Sequence, residues 1–186
     1  MLRALLVVLL VLCAPARADE ALWTLLKGGG QVVLIRHALT DPGVGDPPEF
    51  KLDDCRTQRN LSQEGRRDAQ RLGTLLRQHA IPVERVLSSP WCRCLETARL
   101  AFGFDVQPDA ALGNLFTHPQ NREAQLAAFR KLVAVAPANG NLMLVTHGAT
   151  TLAFTGVSPV PAEMVIVTPE GGGAYRVAGR IPLAPQ

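Results

Sequence analysis

The chain has 186 residues, 47% of them hydrophobic, with 19 Lys/Arg against 16 Asp/Glu and a formal net charge of +3. That length and apolar fraction suit one domain with a proper core and exclude a disordered chain. There is no long Lys/Arg run, and the basic stretch from Arg56 to Arg77 is interleaved with Glu64 and Asp68, so no nucleic-acid partner is expected.

At the N-terminus Arg3 precedes the unbroken apolar run Leu5 to Leu12, and Ala16-Arg17-Ala18 is a small-x-small cleavage signal ahead of Asp19. Residues 1–18 therefore read as a secretory signal peptide, cleaved to leave a domain over 19–186. The apolar run is too short for a stable transmembrane span, so none is expected after processing; the alternative is an uncleaved anchor. Cys13 follows Leu12, where a lipoprotein signal wants a small residue. The expected location is periplasmic or secreted. Losing Arg3 and Arg17 removes two positive charges and lowers the net charge from +3 to +1.

The elements then alternate. Glu20 to Lys27 reads as a short helix closed by Gly28-Gly29-Gly30. Gln31 to Arg36 is an apolar strand ending in Arg36-His37. Ala38 to Asn60 is a long loop rich in Pro, Gly and Asp, a length usually kept for function. Ser62 caps a helix from Gln63 to about Ala80, with an apolar stripe of Ala69, Leu72, Leu75 and Leu76. A strand over Glu84 to Leu87 follows, then a helix with Pro90 in its first turn running to about Phe102. A short strand lies near Phe104 to Gln107, an irregular stretch spans Pro108 to Asn121, and a helix runs from Arg122 to Ala136. Asn141 to Thr146 is a second apolar strand, ending in His147-Gly148, where another helix begins. Glu163 to Thr168 and Ala174 to Arg180 form a terminal hairpin around Gly171-Gly172-Gly173. There is no internal repeat. The pattern is that of a three-layer α/β/α sandwich with a largely parallel central sheet.

Ligands of such sheets gather at the carboxyl ends of the strands. Arg36 and His37 stand at one such end and His147 at another. Arg93, in the first turn of the helix after the second strand, reaches the same rim. Planar guanidinium forks suit phosphate oxygens, so this constellation points to a phosphoryl group. Export would place Cys55, Cys92 and Cys94 in an oxidising compartment. Cys55 bonded to Cys92 or to Cys94, and all three thiols free, both stay open. Cys92-Arg93-Cys94 lacks the second ligand pair of a zinc site, so no metal is expected.

Arg36-His37, Leu61-Ser62, Glu64-Gly65, Ser89 through Arg93 to Thr97-Ala98, and His147-Gly148, in this order and spacing, resemble the histidine phosphatase superfamily in its phosphoglycerate mutase-like branch. The resemblance covers nearly all of 19–186. It implies a phosphoglycerate mutase-like fold, with His37 as a nucleophile that becomes phosphorylated and Arg36, Arg93 and His147 holding the phosphoryl oxygens. It implies no cofactor, and the arginines would supply the charge stabilisation that Mg²⁺ gives in kinases.

Two positions depart from the family pattern. Ala38 stands where glycine usually follows the first histidine, tolerable if its φ stays negative. Leu112-Gly113-Asn114 replaces a Leu-x-Glu whose glutamate is the general acid, and Asn114 can hydrogen-bond a leaving-group oxygen but cannot protonate it. Substitute donors are His118, Asp41 and Asp54, while Glu96 reads as a helix-surface charge. The expected function is an exported phosphomonoesterase acting on a small phosphorylated substrate, such as a sugar phosphate of the cell envelope. A non-catalytic phosphate-binding relic and a phosphomutase are the alternatives.

Overall fold

The computed structural model describes residues 15–43, 45–103, 105–116 and 119–184. In chain order it contains α1 (Pro15–Lys27), β1 (Val32–Arg36), α2 (Gln63–Gln78), β2 (Val83–Ser88), α3 (Cys92–Phe102), β3 (Gln107–Pro108), α4 (Arg122–Val133), β4 (Asn141–Thr146), α5 (Gly148–Thr155), β5 (Met164–Gly171) and β6 (Ala174–Ile181). Short 3-10 turns lie at Cys55–Thr57, Ala110–Leu112 and Pro119–Asn121.

One sheet runs β3-β2-β4-β1-β5-β6. β3, β2, β4 and β1 pair in parallel, and the β5–β6 hairpin adds two antiparallel strands on the far side of β1. The strands of β1 and β4 are apolar at almost every position because both faces of the sheet are covered. Val33, Ile35, Met143 and Val145 face a core completed by Leu72 and Leu76 of α2 and Ala98 of α3. Their neighbours Val32, Leu34, Leu142 and Leu144 face the opposite core, with Leu126 and Phe129 of α4 and Phe154 of α5. The two-residue period of the strands thus builds a three-layer α/β/α sandwich.

Several local details differ from the sequence reading. α1 begins at Pro15, across the junction proposed for cleavage before Asp19, while residues 1–14 lie outside the described region. α3 begins at Cys92 rather than at Pro90, with Trp91 in the cap position. α4 stops at Val133, and β3 is only two residues long. Among the described residues no helix is long and apolar enough to cross a membrane.

The start of α2 locks the loop behind β1 in place. Ser62 Oγ accepts from the Gly65 N–H at 3.0 Å, and the Ser62 N–H donates to the Leu39 carbonyl, also at 3.0 Å. A side chain at Gly65 would put its Cβ 1.9 Å from that carbonyl oxygen, so only glycine lets α2 lie this close to the chain leaving the site. Ala38 is accommodated without strain: among the described residues only Ala80 and Ala162 combine a side chain with positive φ.

Candidate active site

The parallel pairing of β1 with β4 sets Arg36 opposite Thr146, so the residues that follow, His37 and His147, leave the sheet side by side. Their rings lie 5.4 Å apart, edge to face. Together with Arg36, Arg59, Arg93 and Asn114 they line a cavity of about 320 Å³.

The hydrogen-bonded nitrogens define the ring tautomers. His37 Nδ1 lies 2.9 Å from the Ala38 carbonyl, which can only accept, so Nδ1 carries the proton and Nε2 keeps its lone pair. The Ala38 N–H donates to Thr97 Oγ1 at 3.0 Å, and that hydroxyl donates to the Arg93 carbonyl at 2.7 Å, tying the nucleophile's loop to α3. At His147, Arg93 Nη2 can only donate, so Nδ1 accepts at 3.4 Å. Nε2 then carries the proton and donates to Ser89 Oγ at 2.8 Å. Burial and the neighbouring charge of Arg93 lower the His37 pKa from 6.5 to about 3. Burial, with His37 and Arg93 nearby, pushes His147 well below 6.5 as well. Both rings are therefore neutral at pH 7.

The cations are held from outside the cavity. Arg36 Nη1 donates to the Pro159 carbonyl at 2.8 Å. Arg93, only 1% exposed, is gripped by Asp46, whose two carboxylate oxygens also accept from the Arg59 N–H and from Trp91 Nε1, each at 3.1 Å. Burial alone would raise the Asp46 pKa, but these donors and the Arg93 charge outweigh it and hold the carboxyl below its ordinary 3.8. Three guanidinium charges less one carboxylate leave two positive charges around two neutral rings, the complement of a phosphate dianion.

The Nε atoms of Arg36, Arg59 and Arg93 are buried and have no hydrogen-bond partner. An unmet buried donor costs about 1–3 kcal/mol, and three on the arginines of one cavity mark a place for an oxyanion.

Of the residues singled out in the sequence, Arg36, His37, Arg93, His147 and Asn114 share this cavity. Asn114 Oδ1 accepts the Phe116 N–H at 3.2 Å and so shapes the adjoining loop. Asp41 lines a neighbouring hollow instead. Asp54 is a correction: its carboxylate caps the turn at Cys55 and forms two bonds to Arg56, at 2.9 and 2.8 Å, away from the cavity. His118 lies outside the described residues. Glu96 pairs with Arg66 on the helix surface at 2.7 Å.

Arg59 and Asp46 went unnoticed in the sequence. Arg59 had a signal, standing just before Leu61-Ser62 on a loop of functional length; Asp46 had none to separate it from the other loop aspartates. Cys55 and Cys92 form a disulfide, fastening that loop to the start of α3, and the buried Cys94 remains a free thiol whose pKa burial raises to about 12.

The model of the histidine phosphatase superfamily (branch 1) matches residues 32–116, from the strand that delivers Arg36-His37 through the helix bearing Arg93. The chain belongs to the histidine phosphatase superfamily. His147 lies beyond the matched segment, but the β1–β4 pairing brings it to the site. Solved structures share the fold at low identity. A mycobacterial glucosyl-3-phosphoglycerate phosphatase aligns with a TM-score of 0.60 at 19% identity, over 83% of this chain and 99% of its own. The protein histidine phosphatase SixA, complexed with tungstate, aligns at 0.59 with 16% identity, over 82% and 96%. A phosphoserine phosphatase mutant from Entamoeba histolytica, in complex with phosphoserine, aligns at 0.54 with 13% identity, over 81% and 95%. Comparison with curated proteins gave no match.

Proposed function

We propose that this protein is a phosphatase that hydrolyses phosphate monoesters through a phosphohistidine at His37. The observation that carries the reading is the pairing of a lone pair on His37 Nε2 with three partnerless guanidinium Nε–H groups around the same cavity. His37 Nε2 attacks phosphorus, the bond from phosphorus to the ester oxygen breaks, and the alcohol leaves with a proton. Water then attacks the phosphohistidine, returning the lone pair to Nε2 and releasing inorganic phosphate. Arg36, Arg59 and Arg93 stabilise charge on the transferring oxygens through both steps, and His147 forms the back wall that steadies Arg93. Those guanidinium groups supply the positive charge without a metal.

Export fits the same reading. The N-terminal signal pattern and the Cys55–Cys92 disulfide both suit a protein cleaved before Asp19 and working in the periplasm or outside the cell. Among phosphate esters, an envelope sugar phosphate is supported by the likeness to a phosphatase named for a glucosyl phosphoglycerate.

The decisive experiment is a rapid quench with an aryl phosphate labelled at phosphorus. Wild-type protein should carry acid-labile, base-stable label, and His37→Ala should carry none while keeping its fold. Label retained by His37→Ala would overturn the assignment. Binding of phosphate without turnover of the aryl ester would identify a non-catalytic relic instead.

A further inference from the structure

The wall of the anion cavity changes character along α5. Because α5 starts directly after His147, one face of it leads away from the phosphate site, and Ala149, Leu152 and Ala153 stand on that face at spacings of three and four. Phe116, Ala149 and Leu152 line the anion cavity and also an adjoining hollow of about 400 Å³, which Leu115 and Ala153 complete. Phe116 is 65% exposed and Leu152 47%. Only six large hydrophobic side chains are this exposed among the described residues, and these two meet at the mouth of one site. Clustered exposed apolar groups at a binding cleft mark a ligand contact rather than chance.

The polar surface for an alternative occupant is thin. Apart from the arginines and histidines of the cradle, the polar side chains lining the two hollows are Asn114, Ser158 and Arg122. A sugar carries a hydroxyl on nearly every carbon, and each one taken from water needs a partner.

We infer that the ester group of the substrate is apolar: the site takes the phosphate monoester of an aliphatic or aromatic alcohol, with its carbon skeleton laid across Phe116 and Leu152. This rests on the reading of the cradle as a phosphate site, and it favours an apolar ester over the sugar phosphate that one structural neighbour suggests.

The test is competition by alkylphosphonates of increasing chain length against an aryl phosphate substrate. Each methylene laid on the ledge should tighten inhibition by about two- to fourfold, up to the fourfold of full burial, until the ledge is covered. Hexyl phosphate should compete better than glucose 6-phosphate, which has the same carbon count. Leu152→Gln and Phe116→Ala, both at exposed positions, should each flatten the chain-length series. A flat series with the wild-type protein, or tighter competition by glucose 6-phosphate, would overturn the inference. Inorganic phosphate and vanadate distinguish the two failures. If they compete while the series is flat, only the apolar ledge is wrong; if they too fail to compete, the phosphate reading falls with it.

Discussion

Asp46 holds Arg93 with both carboxylate oxygens, Oδ1 at 2.6 Å from Nη1 and Oδ2 at 3.1 Å from Nη2, with both side chains 1% exposed. The carboxylate occupies the terminal nitrogens and leaves Arg93 Nε without a partner. It also removes one positive charge from a cavity that would otherwise gather three. Replacing one partner of a buried pair typically costs about 3–5 kcal/mol. Asp46→Asn should therefore lower the unfolding temperature and, because Arg93 is no longer aimed, lower kcat for an aryl phosphate. Inorganic phosphate should raise the unfolding temperature more in this variant than in wild type, since it then supplies the anion that Arg93 lacks. Differential scanning fluorimetry with and without phosphate reads this. An equal phosphate effect in both proteins would show that Asp46 does not govern Arg93.

The disulfide should matter to both stability and the site. It joins residues 37 apart and closes the loop that carries Asp46 and Arg59. Chain-entropy arguments give about 4 kcal/mol for a loop of this size. Cys55→Ser should lower the denaturant midpoint accordingly and weaken inhibition by vanadate. Cys94, buried with its thiol pushed up to about 12, should stay unreactive towards alkylating agents until the protein unfolds. Rapid labelling of Cys94 in the native protein would contradict this.

Stability should fall in mild acid. His37 stays neutral in the folded protein down to about 3, against 6.5 for the free side chain, and His147 is displaced in the same direction. Between 6.5 and about 3 the unfolded chain binds more protons at His37 than the folded one does, so stability rises with pH across that window and is lost as pH falls. The slope approaches about 1.4 kcal/mol per pH unit for each buried histidine. Asp46, held below 3.8, adds a further loss only at still lower pH. Urea unfolding of wild type and His37→Ala between pH 7 and pH 4 should show the shallower dependence in the variant; identical slopes would refute neutral burial of His37.

Turnover should depend on how badly the leaving group needs a proton. Asn114 cannot supply one, Asp41 lines a different hollow, and Asp54 is taken by Arg56. A placed general acid is worth about 10²–10⁴-fold. Aryl phosphates should thus exceed alkyl phosphates in kcat/KM by that order, with the gap narrowed only if His118 donates. In that case His118→Ala would depress alkyl turnover selectively. Equal rates for both classes, unchanged by His118→Ala, would place the donor elsewhere in the cavity wall.

The sheet and its rim were legible because they rest on local pattern. Unbroken apolar runs at Val32–Ile35 and Leu142–Val145 can only be strands covered on both faces, and whatever follows them in sequence must emerge at the sheet's edge. Arg36, His37 and His147 follow directly. Asp46 was not legible, since a loop of proline and glycine has no period to aim its side chains. Its position depends on contacts made far away in sequence, by Trp91 and Arg93 and by the disulfide to Cys92. The start of α3 was misplaced for a related reason: a proline is permitted in a first helical turn, but permission does not choose the turn.

The place of β1 and β4 at the middle of the sheet has a dynamic consequence. Edge strands such as β3 and β6 can fray and re-form by themselves, but His37 and His147 hang from the two innermost strands, each flanked by hydrogen-bonded neighbours on both sides. Nothing short of opening the whole sheet separates them. The amides of Ile35 and Val145 should accordingly exchange with solvent deuterium only as fast as the entire domain unfolds, so the spacing of the two rings is as durable as the fold itself.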